Sequence, residues 1–193
     1  MAKKDGSNSH PRELARALLM KHGVSKPPTP MEAIVKAEGL DLVERSWGAN
    51  SPLDALLLRS RRLIAVNADK PRLRRRFSVA HELGHYALNH DYLKSFGAIV
   101  DIDHPPENSH PTGGSFEAEV NEFANELLVP RLLLLELRPK PEPQDDDSKE
   151  SFRPFADLAK RLRATPLTEE ALAKRFDVSV QVIFIALQKH GLL

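Results

Sequence analysis

Cysteine is absent from the 193 residues, so disulfides are excluded and any transition-metal site must use histidine and carboxylate ligands. No charge sign dominates. Against 28 basic side chains stand 27 acidic ones, a formal charge of +1, which gives no support to whole-surface attraction to nucleic acid or anionic membrane. No apolar run is long enough to span a bilayer, and the opening MAKKDGSNSH lacks the apolar stretch of a signal peptide. A cytoplasmic protein is expected. There is no internal repeat. What remains is an ordinary soluble composition, in a length sufficient for one core and a small appended unit.

Hydrophobic spacing and breakers divide the chain. Residues 1–8 read as a frayed tail. A first helix begins around Pro11, with Leu14, Ala17, Leu18 and Leu19 on one side and Gly23 as its stop. Thr29 as cap and Pro30 in the first turn open a second helix that Gly39 closes, its Ile34, Val35 and Ala37 expected to pack on the first helix. Strands are expected over 40–46, 55–58 and 63–66, the last two joined by a hairpin at Ser60-Arg61-Arg62. A long helix follows over 71–89. Residues 95–114 read as an irregular loop, then come helices over 115–129 and 131–137. The stretch 139–154 is an acidic, proline-rich connector. Helical segments over 155–164, 168–175 and 179–189 close the chain. The predicted domains are therefore a peptidase-like unit over 9–138 and a helical extension over 155–193.

The central signal is His81-Glu82-Leu83-Gly84-His85 inside the long helix. Four residues is a little over one turn, so both imidazoles project from one face and can share one ion. Zinc suits imidazole nitrogen and keeps a position open for water when the protein supplies three ligands. Glu82 lies about 100° round the helix from His81, beside that open position, where it can take a proton from water attacking a peptide carbonyl. The competing reading is a core helix with two incidental histidines. Gly84 lends it nothing, since glycine costs about 1 kcal/mol against alanine in a helix.

A third ligand must come from elsewhere. An extended metzincin pattern would need glycine at position 88 and histidine at position 91, whereas the chain has Leu88 and Asp91. His90 is projected about 140° round the helix from His85 and is expected to face away as a helix-end residue. A glutamate from SFEAEVNEFANELLVP is the better solution, with Glu117, Glu119, Glu122 and Glu126 available. Glu117 lies near the buried side set by Val120, Phe123, Ala124, Leu127 and Leu128. Asn121, one turn on, is placed to accept the free ring N–H of a histidine ligand. The other three glutamates read as a solvated face.

The pairing of FSVAHELGHYALNH (77–90) with EAEVNEFANELLVP (117–130) resembles the ImmA/IrrE family of metallopeptidases. Phe77, Ala80, His81, Glu82, Gly84 and His85 match its first motif. Glu117, Asn121, Phe123, Ala124, Leu127, Leu128 and Pro130 match its second, with Val120 where alanine is usual. The resemblance implies metal ligands at His81, His85 and Glu117, with Glu82 as base. It also implies an α+β fold: a small, mostly antiparallel sheet packed on the motif helix in a minimal thermolysin-like core. Members cleave a helix-turn-helix repressor, typically encoded beside them, in stress, DNA-damage or mobile-element responses. The expected cofactor is Zn2+, with Mn2+ or another divalent ion tolerated by the same ligands. An edge strand beside the cleft, the one ending near Leu58 or the one before it, would hold the substrate backbone.

Four features compete with plainer readings. The tail (168–189) has helix-turn-helix spacing around Asp177-Val178-Ser179. Its second helix looks apolar around most of its circumference, so burial or partner docking is favoured over DNA contact. Arg72, Arg74, Arg75 and Arg76 stand at a helix N-terminus, where they oppose the dipole, and read as a solvated face. His104 and His110 are surface histidines near the cleft, not assigned to catalysis. Tyr86 is packing. The leading expectation is a zinc endopeptidase acting on a repressor. The alternative is a DNA-binding or repressor-sequestering regulator with a structural metal and no peptidase activity.

Overall fold

The computed structural model describes residues 11–90, 114–137 and 168–192. The predicted tail, the loop before Gly114, the 139–154 connector and the 155–164 helix lie outside the described residues, as do His104 and His110.

Helix α1 (Pro11–Lys21) ends where Gly23 takes φ +61°, a left-handed conformation that costs glycine little. The N–H groups of Gly23 and Val24 then bond back to the carbonyls of Met20 and Leu19. Its buried stripe is Pro11, Ala15 and Leu19, four apart, so Ala17 points outward instead of in. Helix α2 (Met31–Ala37) buries Met31, Ile34 and Val35 and leaves Ala37 exposed. Thr29 does not cap it. Its hydroxyl is buried and donates to the Leu127 carbonyl at 2.8 Å, tying the start of α2 to another helix.

The sheet has the order β1-β3-β2, from β1 (Asp41–Arg45), β2 (Ala55–Leu58) and β3 (Leu63–Asn67). Pairing is mixed. Strand β2 runs antiparallel to β3 through a tight turn at Arg59–Arg61, while β1 lies parallel to β3. Alternation splits the sheet between two clusters. Ala55, Leu57, Ile64 and Val66 face the main core, and Leu56 and Leu58 join Leu53 under Trp47 and Leu63.

Against the main face lies α3 (Arg72–Ala87), and α4 (Gly114–Leu128) packs on α3; these two helices carry the two motifs. Val79, Ala80 and Leu83 pack with Phe123, Ala124 and Leu127. Gly84 sets their separation, since a Cβ there would sit 3.0 Å from both Phe123 and Val120 side chains. Pro130 ends α4 before the short α5 (Arg131–Glu136). Helices α6 (Glu169–Phe176) and α7 (Val180–Lys189) follow, capped by the hydroxyls of Thr168 and Ser179 and joined through Asp177 at φ 58°. Leu172, Phe176, Ile183 and Leu187 belong to the same core as the motif helices.

Two expectations are corrected here. Helix α7 is not buried around its circumference: Val180, Gln181, Phe184 and Gln188 are exposed, because only the Ile183, Ala186 and Leu187 side meets the core. The arginines of α3 are a solvated face only in part: Arg72 and Arg74 are exposed, but all four are engaged by groups of the chain itself. Arg74 pairs with Asp54, Arg75 with Glu44, and Arg72 with Asp177, while Arg76 donates to the Thr29 carbonyl. They tie the motif helix to both edge strands and to the α6–α7 turn. No helix among the described residues is long and apolar enough to cross a membrane.

Candidate metal centre

Residues four apart on α3 and one from the first turn of α4 meet where the two helices approach. His81 Nε2 lies 3.2 Å from His85 Nε2 and 3.2 Å from Glu117 Oε2, and His85 Nε2 lies 3.5 Å from Glu117 Oε1. Ligands held about 2.0–2.1 Å from a tetrahedral ion stand about 3.3 Å from one another. The three donor atoms therefore fit one divalent cation, and two imidazoles with a carboxylate suit zinc and several other divalent ions.

The surroundings order these donors. Asn121 Oδ1 accepts from His81 Nδ1 at 3.2 Å, which leaves the Nε2 lone pair turned toward the cluster. Burial pushes the His81 pKa down. The Glu117 hydrogen bond and the Glu82 and Glu117 charges outweigh it, and the net value is raised. Hydrogen bonds from His81 and then His85 pull Glu117 far below the usual carboxylate range, against its burial. Its carboxylate is thus a ready anionic donor. Glu82 is only 1% exposed, yet it lines the same cavity as His81, Glu117 and Asn121.

That cavity, of about 380 Å³, runs between α3 and the start of β2. Pro52, Asp54 and Ala55 form one wall, and Arg74, Phe77 and Ser78 the other. Strand β2 pairs with β3 on one side only, so among the described residues its other edge has no strand partner. Of the two candidate edge strands, β2 is the one at the cleft.

Several sequence expectations change. His90 does not face away. The helix stops at Ala87, Asn89 turns left-handed at φ 57°, and His90 folds back, its ring 5.6 Å from the His85 ring and its Nε2 3.3 Å from Glu119. Helical angles do not carry past the last turn of α3, and His90 lies beyond it. Nor do the other glutamates form a solvated face. Glu122 pairs with Arg12, and Glu126, 2% exposed, accepts from Arg16 at 2.8 Å near His190. Their partners lie on α1 and after α7, and no local spacing announces them. Arg59 was also missed. From the turn after β2, its Nη2 lies 2.7 and 3.2 Å from the carbonyls of His85 and Tyr86, and its guanidinium stacks 5.1 Å over the Tyr86 ring. A lone arginine in a hairpin carries no signal of that role.

Among curated proteins, no sequence matches the chain significantly. Among solved structures, one similar chain is titled a Mycobacterium tuberculosis transcriptional regulator. It aligns at 15% identity with a TM-score of 0.50, covering 89% of this chain and 44% of that one. This chain thus spans less than half the length of that neighbour, and the likeness is one of fold. The sequence pattern described as the IrrE N-terminal-like domain matches residues 36–188. That span holds both helices of the donor cluster, the sheet beside them and the α6–α7 pair, and the chain belongs to the ImmA/IrrE family of metallopeptidases.

Proposed function

We propose that the chain is a zinc-dependent endopeptidase that cleaves a helix-turn-helix transcriptional repressor, switching on a stress-response or mobile-element regulon. The observation that carries this reading is Glu82. A purely structural metal site has no need of a buried carboxyl that is not a donor yet shares the donors' cavity. His81, His85 and Glu117 would hold the ion, which supplies Lewis acidity toward a peptide carbonyl and makes water more acidic. Glu82 then takes the proton from water and returns it to the leaving amine. Asn121 keeps His81 in one tautomer throughout. The edge of β2 that has no strand partner among the described residues offers backbone hydrogen bonds to an extended substrate lying across the cavity.

A second reading is sequestration of the repressor without cutting. The exposed Val180 and Phe184 on α7 give it a docking face that needs no chemistry. Direct DNA binding is disfavoured by the internal pairing of the α3 arginines. The fold neighbour's title fits a regulatory setting, although likeness at that identity speaks for the fold alone.

The test is metal analysis of the purified chain together with a cleavage assay on the repressor encoded beside it. Glu82→Gln should lower turnover at least about a hundredfold and leave the metal content unchanged. If Glu82→Gln still releases the repressor from its operator as well as the parent chain does, hydrolysis is not the mechanism.

A further inference from the structure

The first turn of α4 must be held in place for Glu117 to reach the two histidines of α3. In sequence, α3 ends at Ala87 and α4 begins at Gly114. His90 bridges the two by contact. Its side chain, 9% exposed, stands between the two helices. One side of the ring meets His85 edge-on, with centroids 5.6 Å apart, and another packs on Phe116 at 4.5 Å. Its Nε2 reaches Glu119 at 3.3 Å. Phe116 and Glu119 flank Glu117 in sequence, so His90 grips the donor's own helical turn on both sides.

His90 is itself anchored. Its N–H bonds to the His85 carbonyl at 3.0 Å, and the left-handed Asn89 makes the fold-back possible. Arg59 closes the arrangement from the hairpin after β2, with Nη2 against the carbonyls of His85 and Tyr86 and 3.5 Å from that of His90. A cation at this end of α3 also complements the helix dipole.

We propose that His90 is a positioning residue for the metal centre, fixing the Glu117 turn of α4 against the His85 end of α3. This rests on the metal-site reading above and assigns His90 no coordination. Partners that orient ligands in this way change metal affinity by about ten- to a hundredfold when removed. The same contacts link the cleft strand, through Arg59, to the donors.

The experiment uses the full chain and Co2+ as probe, with affinity read by competition against a chromophoric chelator and geometry read from the visible Co2+ spectrum. His90→Ala should weaken Co2+ binding by about tenfold or more and reduce the absorption of a four-coordinate site. Glu119→Ala should act in the same direction. The double variant should be little worse than the stronger single one, because both act as one unit. His90→Gln, whose amide can still donate to Glu119, should recover part of the affinity. Leu133→Ala, a core change away from the α4 start, controls for destabilisation and should leave the spectrum intact. Affinity within twofold of the parent and an unchanged spectrum for His90→Ala overturn the proposal and leave the metal site standing. If His90→Ala does not fold, Glu119→Ala takes its place under the same two criteria. Failure of the parent chain to bind Co2+ overturns the metal site, and this inference with it.

Discussion

Gly84 shows how one residue governs the meeting of the two motif helices. Its missing Cβ lets Phe123 and Val120, both fully buried, approach α3 directly. Alanine would gain about 1 kcal/mol in helix propensity but must displace two side chains with no room to retreat, at about 1–3 kcal/mol. Gly84→Ala is therefore expected to lower stability by about 1 kcal/mol and to weaken metal binding, measured by denaturant unfolding and chelator competition. A stability gain with unchanged metal affinity would show that α4 yields easily. At this scale the sequence was most informative. His81, His85, Glu117 and Asn121 lie together; local periodicity puts each helix's pair on one face, and it is the resemblance of the two motifs to one family that joins the pairs. Arg59 and His90 were not legible, since one acts across a hairpin and the other lies past the end of its helix.

Among the elements, the α6–α7 turn meets α3 through one acid. Asp177 accepts from Arg72 Nη1 at 2.7 Å and Nη2 at 2.5 Å, with Arg76 Nε 3.6 Å away. The Arg72 hydrogen bonds first, and the nearby charges after them, hold its carboxyl below the usual range. In acid the unfolded chain therefore takes up that proton before the folded one does. The pair's contribution is full above about pH 4, the unfolded value, and is lost as pH falls through the lower folded value. Asp177→Asn retains a residue that tolerates the left-handed turn and should cost about 0.5–1 kcal/mol at pH 7. The gap between the denaturation midpoints of variant and parent should narrow steadily as pH falls below about 4; a gap that does not narrow would mean the loss is one of shape, not charge. Helix and strand positions were largely readable from breakers such as Gly23, Gly39 and Pro130. The outward face of α7 was not, because Val180 and Phe184 look like core residues until their partners are known.

Across the whole molecule, one core runs from α1 to α7 and includes Ala15, Leu83, Leu127, Phe176 and Ile183. The α6–α7 pair should thus unfold together with the motif helices in a single transition, by calorimetry and by near-ultraviolet dichroism alike. A separate early transition for this pair would contradict that. His190, 4% exposed beside Glu126, adds a pH signature. Burial, then the Arg12 and Arg131 charges, depress its pKa more than Glu126 raises it. The unfolded chain binds this proton first, so stability should decline as pH falls below about 6.5. His190→Gln should flatten that limb. This long-range assembly is the least legible level, since nothing near Glu126 in the chain announces Arg16 or His190.

In the proposed reading, where a substrate pairs with the edge of β2, that strand sets a mechanical condition on it. A bare strand edge accepts a ribbon one backbone thick, whereas an intact helix measures about 10 Å across with its side chains. A polypeptide still coiled there could not lie flat enough to offer its carbonyls. Choice of target would then begin with local unravelling, before any side chain is read.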